Sequence, residues 1–210
     1  MIRAVVFDMD GVLVDAREWH YEALNRALQL FGFEISVSDH ETTFDGLPTR
    51  VKLDRLVEKR GLPRTLCPFI AEMKQVYTME IVLQRCKPNF NHEYALSRLK
   101  AEGYPIAVAS NSIKDSISAI MEKTCLAGYL EFFLSNEDVR AAKPDPEIYL
   151  KAAAKLGLRP DECLVVEDNH NGIRAARDAG AALLEVRGVE DVTYDRIAAR
   201  IAEVNSKHSQ

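Results

Sequence analysis

The sequence predicts an α/β protein whose doubly wound, mostly parallel sheet is interrupted by an inserted all-helical domain. Short apolar runs that end in polar residues alternate with amphipathic segments over most of the chain, a pattern typical of parallel sheets covered by helices on both faces. The stretch from 16 to 87 shows only helical periodicity. We therefore predict an α/β core formed by residues 1–15 and 88–210, and a helical cap formed by residues 16–87.

The first strand is predicted at Ala4–Phe7, a continuous apolar run that ends in Asp8, Asp10 and Gly11. Apolar runs without alternation are typical of strands buried on both faces. The two carboxylates leave the carboxyl end of this strand, where open α/β sheets bind their ligands. Carboxylates held close together repel each other, so we expect a cation between them.

Four helices are predicted in the insertion from their apolar spacing and their end signals. They are expected at Arg17–Phe31, from a capping box at Ser38–Glu41, from Pro48 to before Gly61, and from Leu66 to near Cys86. Beyond Pro88 the alternation resumes. Strands are predicted at Ile106–Ala109, Phe132–Leu134, Leu164–Val166 and Ala182–Val186, and helices near 92–102, 114–123, 146–157, 172–180 and 194–204.

Net charge, apolar stretches and cysteine spacing argue against several classes of function. The 210 residues carry a net charge of -5 and no basic block, which argues against a nucleic-acid partner. No apolar stretch reaches the length of a membrane span or a secretory signal, so we expect a cytoplasmic protein with no membrane partner. The cysteines (Cys67, Cys86, Cys125 and Cys163) are far apart, which favours reduced structural thiols over disulfides or a zinc site. The oligomeric state is not predicted.

Polar residues follow three of the predicted strands, and the ends of parallel strands meet at one edge of a sheet. We therefore expect one site containing Asp8, Asp10, Ser110, Asn111, Glu167 and Asp168, with Lys143 entering from a loop. Four carboxylates and one lysine leave excess negative charge. A hard divalent cation such as Mg²⁺ would compensate it and leave room for a substrate phosphate.

These motifs resemble those of the haloacid dehalogenase-like superfamily. The matching segments are Asp8–Val12, Ser110–Asn111, Lys143–Tyr149 and Glu167–Gly172. The helical insertion after the first motif is similar to the cap of the branch that contains phosphoglycolate phosphatase and β-phosphoglucomutase. The resemblance covers essentially the whole chain. All four motifs occur in order, each on its expected element, which makes coincidence improbable.

The resemblance implies roles for the site residues. Asp8 would attack phosphorus to form an aspartyl-phosphate, and Asp10 would act as general acid and base. Mg²⁺ would be held by Asp8, the backbone carbonyl of Asp10 and Asp168, with Glu167 in an outer-shell role. Lys143 would hold the nucleophile and the phosphate, while Ser110 and the Asn111 backbone would bind the transferring phosphoryl group.

In the cap, Arg50 and His20 are the candidates for contact with a distal part of the substrate, and Lys74 is a further one. Two positions depart from the mutase pattern, because Ala16 replaces a threonine and Asp45 replaces a lysine.

We therefore expect a Mg²⁺-dependent phosphatase that acts on a small phosphorylated metabolite, a sugar phosphate by preference. One alternative is a phosphosugar mutase of the β-phosphoglucomutase type. A second, from a different class, is a non-enzymatic phospho-receiver switch, which also uses an acidic cluster, Mg²⁺ and a lysine on a doubly wound sheet. Asp10 and the helical insertion argue against the receiver.

Overall fold

The computed structural model describes residues 1–207, with every side chain in that range except that of Glu41. The chain forms two compact units. The core unit comprises Met1–Asp15 together with the segment from Lys87 to the C-terminal end, and the helical unit comprises Ala16–Cys86.

The core unit is built on a five-stranded sheet in which all neighbouring strands are parallel. Its strands are β1 (Ala4–Phe7), β2 (Ile106–Ala109), β3 (Phe132–Leu134), β4 (Cys163–Glu167) and β5 (Ala182–Glu185), in the spatial order β3-β2-β1-β4-β5. Strand β1 is therefore central. Every residue of β1, β2 and β4 is buried, which explains why these strands read as continuous apolar runs.

Nine α-helices and one π-helix accompany these strands in the described part of the chain. They are α1 (Arg17–Gln29), α2 (Val37–Asp39), the π-helix (His40–Phe44), α3 (Thr49–Arg60), α4 (Cys67–Arg85), α5 (Phe90–Ala101), α6 (Lys114–Lys123), α7 (Glu147–Lys155), α8 (His170–Asp178) and α9 (Tyr194–Lys207). Short 3-10 turns lie at Arg64–Leu66, Ala127–Tyr129, Asn136–Asp138, Pro160–Glu162 and Val189–Asp191.

One face of the sheet packs against α7 and α8. The side chains of Ala4 and Val6 from β1 and Val165 from β4 form a single apolar cluster with Ile148 of α7 and Ala175 of α8. Helices α5 and α9 contact each other, and they also contact β2 and β5 respectively. The predicted doubly wound parallel sheet is thus confirmed.

The helical unit has an apolar core of its own. Leu24 and Leu28 of α1 pack with Leu53 and Leu56 of α3 and with Ile70 of α4. Helix α3 ends at Gly61, whose φ of 69° is the left-handed conformation that commonly terminates helices. This is the C-terminal signal that the sequence predicts.

The second helix of this unit differs from its prediction. Its N-cap is Ser36, whose side chain accepts the backbone N–H of Asp39, so the N-cap lies two residues before the predicted Ser38. The chain then widens into the π-helix, which no residue spacing had indicated. In the described part of the chain, no helix is both long enough and apolar enough to cross a bilayer.

Candidate active site

The register of the sheet brings the three polar strand ends to one level. Phe7 of β1 lies beside Val108 of β2 and Val166 of β4, so Asp8 follows at the level of Ala109 and Glu167. The backbone N–H of Asp8 donates to the carbonyl of Val166 (3.0 Å). Its side chain is buried, with 7% of the residue exposed. The prediction that distant residues meet at this edge therefore holds for Asp8 and Glu167.

Lys143 joins these two carboxylates. Its Nζ donates to Asp8 Oδ1 (2.7 Å), Glu167 Oε1 (2.6 Å) and the carbonyl of Ala109 (2.8 Å). Burial opposes the charged ammonium, but the Asp8 and Glu167 carboxylates outweigh it and raise the pKa of Lys143. Lys143 is thus a fixed cation at the edge of the sheet.

Glu167 is enclosed by donors from the chain itself. Oε1 accepts the Lys143 ammonium and the hydroxyl of Tyr149 (2.7 Å), while Oε2 accepts the backbone N–H groups of Asp168 (3.1 Å) and Asn169 (3.2 Å). Helix α8 makes room for this carboxylate with Gly172, because a Cβ there would lie 1.6 Å from Glu167 Oε1.

Asp168 completes an acidic cluster. Carboxylate oxygens of Asp8, Glu167 and Asp168 all lie within 4.8 Å of one another. Gly11 adjoins this cluster, since a Cβ on it would lie 2.1 Å from Asp168 Oδ2. Oxygen ligands at this spacing, carrying more negative charge than Lys143 neutralises, suit a hard divalent cation.

The electrostatics of Asp8 support the same conclusion. Burial, the charge of Glu167 and the charge of Asp10 together outweigh the attraction of Lys143 and hold the pKa of Asp8 well above its usual value. Additional positive charge beside Asp8 would favour its ionised form. The residues present therefore fit a bound Mg²⁺.

The remaining predicted core residues lie on the loop after β2 and on the loop after β1. Ser110 is buried, and its Oγ accepts the backbone N–H of Ser112 (3.0 Å). Asn111 is tied to the Lys143 loop, because its Oδ1 accepts the Lys143 N–H (3.0 Å). Asp10 Oδ2 accepts the hydroxyl of Ser112 (2.8 Å), so the Asp10 carboxylate faces the loop after β2.

His20 and Arg50 belong to the helical unit. His20 Nδ1 lies 3.1 Å from Lys74 Nζ, and Arg50 is exposed at the start of α3. Asp45 is paired with Arg17 at 3.4 Å. Of the three candidate substrate contacts in this unit, the structure brings two, His20 and Lys74, into contact with each other.

Two contacts escaped the sequence analysis. Tyr149 was noted as part of a motif, yet its hydroxyl reaches a carboxylate eighteen residues away. Ser112 follows Ser110 and Asn111 on the loop after β2, and its hydroxyl donates to Asp10 Oδ2 across 102 residues of sequence. The Tyr149 contact could have been anticipated, because a tyrosine buried on a helix that packs against the sheet needs a hydrogen-bond partner for its hydroxyl. The sequence holds no comparable signal for Ser112.

Comparison with known proteins agrees with this geometry. The family model of haloacid dehalogenase-like hydrolases matches residues 5–186. A protein of Thermotoga maritima named phosphorylated carbohydrates phosphatase is 30% identical, covering 85% of this chain and 82% of its own. The phosphoglycolate phosphatase of Aquifex aeolicus is 28% identical with the same coverage.

Among solved structures, the β-phosphoglucomutase of Clostridium difficile superposes over 100% of both chains with a TM-score of 0.85 at 24% identity, which supports the fold. The family match spans nearly the whole chain and includes the strand ends that carry the acidic cluster. The chain therefore belongs to the haloacid dehalogenase-like hydrolase family and is an enzyme of the phosphatase type that its motifs predict.

Proposed function

We propose that the protein is a Mg²⁺-dependent phosphatase that hydrolyses a small sugar phosphate through an aspartyl-phosphate intermediate. The observation that carries this proposal is the arrangement of buried Asp8, Lys143 and Glu167 with half-buried Asp168 at the carboxyl edge of the sheet. The name of the Thermotoga maritima relative supports a phosphorylated carbohydrate as substrate.

Asp8 is the proposed nucleophile. Lys143 holds its Oδ1 in a fixed position, so the carboxylate is oriented before the substrate arrives. Attack on phosphorus forms the bond from Asp8 to phosphorus and breaks the ester bond to the leaving oxygen. Orientation of this kind lowers the barrier by removing the entropic cost of aligning the reactants.

Asp10 is the proposed acid and base. Its carboxyl group gives a proton to the leaving alcohol oxygen, then takes a proton from the water that attacks the aspartyl-phosphate. This second step releases inorganic phosphate and regenerates Asp8. The hydrogen bond from Ser112 fixes the Asp10 carboxylate, which supports a role that requires orientation.

The metal would be held by the side chains of Asp8 and Asp168 and by the backbone carbonyl of Asp10. When bound, Mg²⁺ supplies the positive charge that offsets repulsion between the Asp8 carboxylate and the phosphate dianion. We propose an outer-shell position for Glu167, because each of its two oxygens already accepts two hydrogen bonds from the chain. It orients Lys143.

The phosphoryl group is proposed to bind Ser110, the backbone N–H of Asn111 and Lys143. The Ser110 oxygen accepts an N–H from Ser112, an arrangement in which its hydroxyl proton can be donated to a phosphoryl oxygen. Charge-assisted donation from Lys143 adds to this.

The helical unit is proposed as the cap, with His20 and Arg50 contacting the distal part of the substrate. Asp45 occupies the position where a mutase has a lysine, and its carboxylate pairs with Arg17 of the same unit. This pairing supports hydrolysis over mutase activity.

The test is release of phosphate from a panel of sugar phosphates with and without Mg²⁺. We expect turnover that needs Mg²⁺ and falls at least about a thousandfold in Asp8→Asn, the order of loss seen when a nucleophile is removed. The matched control is Asp178→Asn, the same change at an exposed position on α8. A mutase would isomerise its substrate and release little phosphate, and a receiver would keep its phosphoryl group. Absence of turnover across the panel would refute the proposal.

A further inference from the structure

Tyr149 is a buried residue of α7 with contacts that the proposed reaction does not use. The residue is 2% exposed and belongs to the apolar cluster beneath the sheet. Its hydroxyl, however, makes a polar contact outside that cluster, because it donates to Glu167 Oε1 at 2.7 Å. A tyrosine that served only to fill the core could be replaced by phenylalanine without loss of a contact, and this one could not.

The aromatic ring of Tyr149 makes a second contact with the same ion pair. Lys143 Nζ lies 4.7 Å from the centre of the ring, within the range at which an ammonium is attracted to an aromatic face. Tyr149 therefore contacts the carboxylate through its hydroxyl and the ammonium through its ring.

Lys143 is shared between two competing carboxylates. Its distances to Asp8 Oδ1 and Glu167 Oε1 are 2.7 and 2.6 Å, so its position depends on the balance of the two attractions. The Tyr149 hydroxyl donates to the same Glu167 oxygen and satisfies part of its hydrogen-bonding capacity. Without that hydroxyl, Oε1 would draw Lys143 more strongly, away from Asp8.

We propose that Tyr149 is a positioning residue that acts through Glu167, sharing its Oε1 so that Lys143 remains on the Asp8 nucleophile. This inference rests on the proposed function, in which Asp8 and Lys143 carry the reaction. It goes further by assigning a role to Tyr149, to which the proposed function gives none.

Tyr149→Phe tests the proposal because it removes the hydroxyl and keeps the ring. We expect kcat for phosphate release to fall about tenfold, the lower end of the loss seen when an outer partner of an active-site group is removed, with KM changed by less than about twofold. The control is Tyr194→Phe, which removes another tyrosine hydroxyl bonded to a carboxylate, that of Glu102, and should leave both constants unchanged.

A double-mutant cycle with Glu167→Gln separates positioning from general packing. If Tyr149 acts through Glu167, Tyr149→Phe has little further effect on kcat once Glu167→Gln is present. Losses that multiply across the cycle would overturn the proposal, as would a Tyr149→Phe enzyme with the kcat of the unsubstituted protein.

A crystal structure of metal-free Tyr149→Phe provides a readout that does not depend on activity. We expect the separation of Lys143 Nζ and Asp8 Oδ1 to exceed the 2.7 Å found here, with Lys143 closer to Glu167. An unmoved Lys143 would overturn the proposal. Failure of the proposed function would appear differently, as an unsubstituted protein that releases no phosphate, while the position of Lys143 could still be compared.

Discussion

Gly11 is required at its position for two independent reasons. Its φ of 88° lies in the left-handed region, where a residue with a Cβ is strained by about 1 to 2 kcal/mol. Its missing side chain also leaves the space that Asp168 occupies, since a Cβ would lie 2.1 Å from Asp168 Oδ2. The first reason concerns stability alone, and the second concerns the acidic cluster.

A comparison of Gly11→Ala with Gly103→Ala distinguishes the effect of backbone strain from the effect of displacing Asp168. Gly103 has nearly the same φ, 85°, but has open space where a Cβ would be. We expect both variants to lose about 1 to 2 kcal/mol of stability in urea unfolding. Only Gly11→Ala should displace Asp168 and raise the Mg²⁺ concentration needed for half-maximal phosphatase activity. Equal Mg²⁺ requirements in the two variants would contradict the role given to Asp168.

At the scale of the element, apolar runs and end signals predicted most of the secondary structure. Strands β2 and β3 and helix α6 have the predicted bounds, because the apolar runs of the strands and the helical spacing of α6 are local patterns in the sequence. The π-helix was not predictable in this way, because its five residues form about one turn of an i→i+5 helix, too few to show a periodicity of their own. Partners such as Tyr149 and Glu167 likewise depend on the packing of α7 under β4, which local periodicity does not encode.

The π-helix begins with a buried histidine of unusual environment. His40 is 3% exposed, its ring lies 5.1 Å from that of Tyr21, and neither ring nitrogen makes a hydrogen bond within the described residues. Burial lowers the pKa of His40 to about 4; the positive charges of Lys52 and His20 act in the same direction, and Asp45 opposes them. The neutral imidazole is therefore the form that the folded helical unit accommodates.

This environment predicts a loss of stability in mild acid. As pH falls below the ordinary histidine pKa of about 6.5, the unfolded chain binds a proton that the folded chain does not. The free energy of unfolding should fall between about pH 6.5 and about pH 4, by about 3 kcal/mol at most, and then level off. His40→Phe should remove this dependence.

Trp19 provides the measurement, because it is the only tryptophan in the sequence and lies on α1 of the same unit. Urea unfolding followed by its fluorescence should show the unsubstituted protein weakening towards acid pH relative to His40→Phe. Leu62→Ala serves as control, since it opens a cavity in the same apolar core without adding or removing a titrating group. A difference between the unsubstituted protein and His40→Phe that stays constant with pH would contradict the prediction.

At the scale of the whole molecule, the site exists because the core unit is assembled from distant segments. Strand β1 pairs with both β2 and β4, which brings Asp8 beside Ala109 and Glu167, residues that follow it by more than 100 positions. This assembly pairs the carboxylates of Asp8 and Glu167 with one ammonium, that of Lys143, and brings the Asp168 carboxylate close to both. Their mutual repulsion opposes folding of the core unit, because the unfolded chain separates the charges.

A bound divalent cation should therefore stabilise the core unit by linkage. At a Mg²⁺ concentration one hundred times the dissociation constant, binding to the folded state alone adds about 2.7 kcal/mol. We expect amide hydrogen exchange in β1 and β4 to slow when Mg²⁺ replaces EDTA. Asp168→Asn should lose most of this protection, whereas Asp178→Asn, at an exposed position on α8, should keep it. Equal protection in both variants would show that Mg²⁺ acts elsewhere on the surface, and the cluster of Asp8, Glu167 and Asp168 would then not be the metal site.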